Sequence, residues 1–265
     1  MTLTSRRTHR LLLFLSKPLL AALFVTLILR WTLSPSSKPN KKPINPHPHL
    51  SKALIIASTT SSNLTWLEPA LATSHWTPYV YTTDDASATL TVPINKGNEA
   101  MVYLTYIIEH YDHLPDVMFF HHDHAQAWHQ LFSSGYELSH LNPETVLRDG
   151  YVSPRCLPGC ENIIELSGDV APLADLKGAA RDVLIASVLH EFWRDERGER
   201  KVLPGKIAAP CCAQFAVSRE AVRRRAKGQW EDLRRWLIET EVGSRESGRA
   251  LEYTWHLWFG KEEVL

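Results

Sequence analysis

The chain has no excess charge of either sign: 29 Lys and Arg balance 29 Asp and Glu, for a formal net charge of +0. That removes the electrostatic case for nucleic acid or an acidic partner. It has no internal repeat, which excludes solenoid and propeller arrays. Near the N-terminus it has no long unbroken apolar run, because Lys17-Pro18 and Arg30 interrupt the stretch from Leu11 to Leu33. The small-x-small pattern of a cleaved signal is also missing there, since Arg30-Trp31-Thr32 follows Leu29. Cysteine is scarce, with only 4 residues, and Cys156, Cys160, Cys211 and Cys212 lack the paired C-x-x-C spacing of a four-cysteine zinc site.

What is present begins with an anchor. Arg6, Arg7 and Arg10 precede the apolar stretch, and Lys17 can snorkel toward the headgroups. Residues 1–10 read as a cytoplasmic tail and 11–33 as an uncleaved signal-anchor transmembrane helix, with basic residues favouring the cytoplasm on the short side. Residues 34–49 carry five prolines without apolar periodicity, an extended stem. Residues 50–265 then form one globular lumenal domain, whose 9 tryptophans argue for a sizeable core. This is the layout of a single-pass secretory-pathway protein of the Golgi or endoplasmic reticulum, with the membrane itself as one partner. Asn63-Leu64-Thr65 is a glycosylation acceptor that the lumen would expose.

The domain reads as α/β. Ala53–Ala57 and Tyr79–Thr82 are strands, and Trp66-Leu67 opens a turn of helix. Leu90–Pro93 is extended. A helix spans Glu99 to His110, with Asn98 as its cap, and Val117–Phe120 is a buried strand. Further on, 141–151 is helix then turn and 181–191 is helical. A small-residue segment, 207–217, ends in a strand, and Ser218 caps a helix. Helices at 230–241 and 248–259 complete the chain, the last aromatic on several sides and so buried. Strand, loop, strand, helix, strand predicts a mixed sheet flanked by helices.

The candidate site is His121-His122-Asp123-His124, with His129 in the loop beyond. Acids and imidazoles at the carboxyl end of a buried strand stand where an open α/β sheet places its ligand. Strand alternation sets His122 and His124 on one face and His121 and Asp123 on the other. His122, His124 and His129 are therefore the candidate metal ligands; the alternative is a hydrogen-bonded histidine cluster that shapes the loop. Asn95-Lys96-Gly97-Asn98-Glu99 offers a cation and backbone N–H groups before a helix, which suits a phosphate. The simpler reading is that Gly97 makes the turn and Glu99 complements the helix dipole. Glu252, among Tyr253, Trp255 and His256, is a candidate general base, or a surface acid paired with Arg249. Asp84-Asp85 most simply makes a turn. The cysteines allow three pairings in an oxidising lumen. The short Cα separation of neighbours disfavours a Cys211–Cys212 bridge, so long-range pairs, or one bridge plus free thiols, are expected.

These motifs together resemble a fungal family known as domain of unknown function 3431. They appear here as Trp66-Leu67, Asn95-Lys96-Gly97-x-Glu99-Ala100, His122-x-His124, Trp128-His129, Arg155-Cys156, Gly159-Cys160, Pro210-Cys211-Cys212-Ala213-Gln214-Phe215 and Leu251-Glu252-Tyr253-x-Trp255-His256. The chain is also similar to a wider group of glycosyltransferase-like proteins with a nucleotide-sugar-binding α/β fold. That resemblance implies a divalent metal, Mn or Zn, and a nucleotide-sugar donor held near Asn95, Lys96, Gly97 and Glu99. It also implies a small-molecule or glycan substrate, with Asp123 and Glu252 in catalytic roles. The chain has His122-Asp123-His124 where that group has Asp-x-Asp, and imidazole favours zinc-like ions over magnesium or manganese. Two other functions fit the same residues: a histidine-metal oxidase or hydrolase of a secreted product, and a non-catalytic lumenal interaction domain.

Overall fold

A computed structural model of the chain describes residues 50–154, 159 and 161–265. The tail, anchor and stem expected over 1–49 lie outside the described residues, as do Cys156 and Cys160. Among the described residues no helix is long and apolar enough to cross a membrane.

Five strands make the main sheet: β1 (Lys52–Ser58), β2 (Thr77–Thr82), β3 (Val117–His122), β4 (Tyr151–Val152) and β7 (Phe215–Ser218), in the order β2-β1-β3-β7-β4. β1 pairs in parallel with both β2 and β3, while β7 runs antiparallel to β3 and to β4. The sheet is therefore mixed. β5 (Glu161–Glu165) and β6 (Lys206–Pro210) form a separate antiparallel pair.

The period-2 pattern explains the layers. Ala53 and Ile55 of β1, Met118 and Phe120 of β3, and Phe215 and Val217 of β7 enter one core. That core also holds α2 (Glu99–His110), α5 (Arg181–Phe192), α7 (Lys227–Glu239), α8 (Ser244–Glu252) and α9 (Trp255–Trp258). Leu54, Ile56, Val117, Phe119 and Ala216 enter the other. They meet Leu67 and Ala70 of α1 (Leu67–Ser74), Leu138 of α3 (Ser134–His140) and Val146 of α4 (Pro143–Asp149). α6 (Arg219–Arg223) follows β7, and the Ser218 hydroxyl accepts from the Ala221 N–H at 3.2 Å, as its capping position predicts.

Three local expectations change. Asn98 occupies the cap position of α2 but makes no side-chain cap bond, and it sits at φ 52°. The helix expected over 248–259 is broken into α8 and α9 at Thr254, whose hydroxyl turns back onto Ala250 O at 2.7 Å. α1 is a helix of 8 residues rather than one turn, and α3 was not anticipated.

Candidate functional site

The order β2-β1-β3 reverses direction at β1: the chain passes from β1 to β2 on one side, then to β3 on the other. The carboxyl ends of β1 and β3 therefore flank a topological switch point, the crevice where open α/β sheets take ligands. The loops leaving these two strands are tied together, because the Ser62 hydroxyl donates to Asp123 Oδ2. Trp66 Nε1 donates to Asp123 O at 2.7 Å. The Asp84 carboxylate accepts from Thr60 N and Oγ1, both at 2.8 Å, and so ties the loop after β2 to the loop after β1, while Asp85 accepts from Ser87 and closes a local turn.

β3 extends through both histidines, so its alternation separates them. His121 is fully buried on the α3 side, with its Nε2 3.4 Å from Glu137 Oε2 and 3.1 Å from Gln214 Nε2. Gln130 and Ser134 join this buried network, and the Ser134 hydroxyl donates to His124 O at 2.6 Å. That bond fixes the turn carrying His124. His122 is half-buried on the other side. Its ring centroid lies 5.7 Å from that of His124 and 6.1 Å from that of His129. His122 is thus neighbour to both His124 and His129, but among the described residues the ligand nitrogens of the three do not all come within 4.8 Å of one another. His124 Nδ1 lies 3.1 Å from Asp123 Oδ1, a carboxylate placed to hold the ring by one nitrogen and leave the other available.

Two glycines bring the acids in. A Cβ on Gly97 would lie 2.6 Å from Leu237, and one on Gly248 would lie 2.7 Å from Gly97 O. Glycine at 97 thus makes room for Leu237 of α7, and glycine at 248 permits the approach of α8 to the loop before α2. One helical turn beyond Gly248, Glu252 comes within electrostatic reach of Glu99, the first residue of α2. Burial, and then the neighbouring Glu252 charge, push the Glu99 carboxyl up to about 8, against the pull of its own backbone N–H. Burial raises Glu252 too, against opposing contributions from the Cys212 N–H, the Arg249 charge and Asn162. The Cys212 N–H donates to Glu252 Oε1 at 3.1 Å.

Lys96 and Gly97 stand differently from the phosphate-binding expectation. The Lys96 ammonium donates to Thr240 O and, at 3.2 Å, to Ile238 O, so it neutralises the carboxyl end of α7. The Gly97 N–H donates to Ser244 Oγ at 2.8 Å, and Asn95 is exposed. Both donors are spent on packing α7 and α8 against the loop.

The expectation for the cysteines is corrected. Cys211 and Cys212 are bridged to each other, with Cα atoms 3.7 Å apart. Cys212 at φ 83° and Ala213 at φ 45° supply the turn this requires. The Tyr103 hydroxyl donates to Ala213 O at 3.0 Å and pins the turn to α2. Cys211, Cys212 and His129 each offer a ligand atom, all within 4.8 Å of one another. Sequence reasoning missed this group and the His121–Glu137–Gln214 network. The buried alternation of β3 was the available signal for His121; Glu137 carried none. A cavity of about 780 Å³ between α5 and α7, lined among others by Phe192, Asp232 and Trp236, shares none of these residues.

Residues 54–265 match the family model described as protein of unknown function, DUF3431. The chain belongs to that family. No curated protein and no solved structure matches it. Within this DUF3431 member, then, the chemistry must be argued from the site itself.

Proposed function

We propose that this DUF3431 domain is a metal-assisted glycosyltransferase-like enzyme, carried on the lumenal side of a secretory-pathway membrane by its N-terminal segment. One observation carries the reading. At the carboxyl end of β3, His122 lies next to both His124 and His129, Asp123 lies against His124, and Cys212, near His129, is bonded to Glu252, a carboxyl whose proton affinity is raised.

The residues suit a cation. Around a tetrahedral zinc with Zn–N of about 2.0–2.1 Å, imidazole centroids stand about 5 Å apart. The separations of 5.7 and 6.1 Å about His122 are wider than that, so the rings would have to close on the ion. His122, His124 and His129 would hold the ion, with Asp123 orienting His124. The ion supplies positive charge to the departing diphosphate of a nucleotide-sugar. Glu252 stands as the base that takes the acceptor hydroxyl proton, since a carboxyl with a raised pKa binds that proton more readily. Glu99, raised further, holds its own proton at neutral pH and so avoids placing a second negative charge beside Glu252. Lys96 and Gly97, engaged with α7 and Ser244, are left out of the donor contacts.

The test is calorimetric titration of the full-length chain in detergent with a panel of sugar nucleotides, with and without Mn²⁺ or Zn²⁺. Metal-dependent nucleotide binding that vanishes in His122→Ala/His124→Ala supports the reading. Metal binding without any nucleotide binding overturns it in favour of a histidine-metal oxidase or hydrolase. Absence of both overturns it in favour of an interaction domain.

A further inference from the structure

The Cys211–Cys212 bridge sits inside the site rather than in the scaffold. Cys211 and His129 are buried and Cys212 is half-buried. Both sulfurs and one His129 ring nitrogen lie within 4.8 Å of one another. Donor atoms around a tetrahedral zinc are about 3.3–3.8 Å apart, so the two sulfurs, 2.03 Å apart while bonded, would separate and His129 close in for the three to share one ion. The Tyr103 hydroxyl donates to Ala213 O and the Cys212 N–H donates to Glu252, so this turn is tied to α2 and α8 by bonds other than the bridge.

We infer that reduction of Cys211–Cys212 creates a second metal site, in which both thiolates and His129 hold a thiophilic divalent cation of the zinc class. The reductant is a dithiol. Its thiolate attacks one sulfur of the bridge, and its second thiol resolves the mixed disulfide. It leaves as its own disulfide, having delivered two electrons and two protons. Cys211 and Cys212 are then thiols, and the incoming cation displaces their two protons. Two thiolates and one imidazole make the ligand count of an open zinc site, with the fourth position left to water. His129 belongs to both sites, so oxidation state decides whether its ring serves the imidazole cluster or the thiolates. This inference shares His129 with the proposed function, but its readout needs no nucleotide and no turnover.

Cobalt reports the chemistry directly. The full-length chain in detergent is reduced with dithiothreitol, freed of reductant without air, and titrated with Co²⁺ alone; an oxidised sample is titrated in parallel. The expected result is sulfur-to-cobalt charge-transfer absorption only in the reduced chain, displaced by Zn²⁺. His129→Ala weakens that cobalt binding about 10-fold or more, while His124→Ala leaves it unchanged. Absorption that persists in Cys211→Ser/Cys212→Ser arises from Cys156 and Cys160 and overturns the inference. Because that double variant can misfold, the unaltered reduced chain is also alkylated with iodoacetamide, with and without Zn²⁺. Zinc protection of Cys211 and Cys212 beyond that of Cys156 and Cys160 supports the site; equal protection, or none, overturns it.

Discussion

The two ends of the main sheet are built from similar residue types and do opposite things with them. At the amino end, Asp116 accepts from Ser51 N at 2.8 Å and from Ser51 Oγ at 2.7 Å, and pairs with Arg219 at 2.9 Å. Arg219 Nε donates to Leu114 O at 2.7 Å, and Lys52 donates to Ser74 O at 2.7 Å. A cavity of about 480 Å³ at that end is lined by Ser51, Lys52, Leu114 and Arg219 among others. Burial raises the Asp116 carboxyl, but Ser51 and Arg219 outweigh it and hold it below the usual carboxylate range. At the carboxyl end, Glu99 and Glu252 are raised instead, the imidazoles face one another, and Asn98, Cys212 and Ala213 hold positive φ. Opposite charges paired at one end lock the fold. Like charges and soft donors gathered at the other are held there by the rest of the structure. Such concentrations of perturbed groups mark functional sites more often than scaffolds.

The contrast can be broken most sharply at the imidazoles. His122→Ala/His124→Ala should lower metal affinity by more than about 100-fold, beyond the 10–100-fold cost of losing a merely supporting residue. Its melting temperature without metal should stay close to that of the unaltered chain; a shared fall in both would make the cluster structural.

Asp116→Ala should do the reverse. Loss of the Arg219 pair and both Ser51 bonds should cost about 2 kcal/mol in denaturant unfolding, with metal affinity unchanged.

Acid and base should then separate the ends by sign. The unfolded Glu99 carboxyl ionises near 4.5, but the folded one keeps its proton to about 8. The stability it contributes is therefore full below 4.5 and lost as pH rises to 8. Asp116 is the opposite case: its contribution is present above its unfolded pKa of 3.8 and is lost as pH falls through the lower folded value. Melting curves should show Glu99→Gln gaining stability relative to the unaltered chain at pH 8, and Asp116→Asn less stable than the unaltered chain except in strong acid, where the difference closes.

The smallest effect concerns Lys96. Lys96→Met removes the cation at the end of α7 and should cost about 1 kcal/mol, while nucleotide binding is unaffected. A selective loss of nucleotide binding would restore the phosphate role that its hydrogen bonds to Ile238 and Thr240 argue against.

Much of this was legible in the chain. β1, β3 and α2 follow from apolar periodicity, with α2 bounded at Glu99 and His110 as the pattern predicts. His-x-His after a buried strand pointed to the carboxyl end of the sheet, and the separation of His121 from His122 follows from the pleat. These are local facts: a residue's face is set by its neighbours in sequence and the geometry of the element it joins. What Lys96, Glu99, Glu252 and Cys212 face was decided only in three dimensions. Their partners lie as far off as Thr240 for Lys96 and Cys212 for Glu252, and they meet because Gly97 lets α7, and Gly248 lets α8, approach the loop before α2. The Cys211–Cys212 bridge is the clearest instance. Its short separation argues against it locally, and it stands because a turn at positive φ is held by Tyr103 from α2 and Glu252 from α8. Periodicity can be read one segment at a time, whereas contact between distant segments exists only after the core has packed.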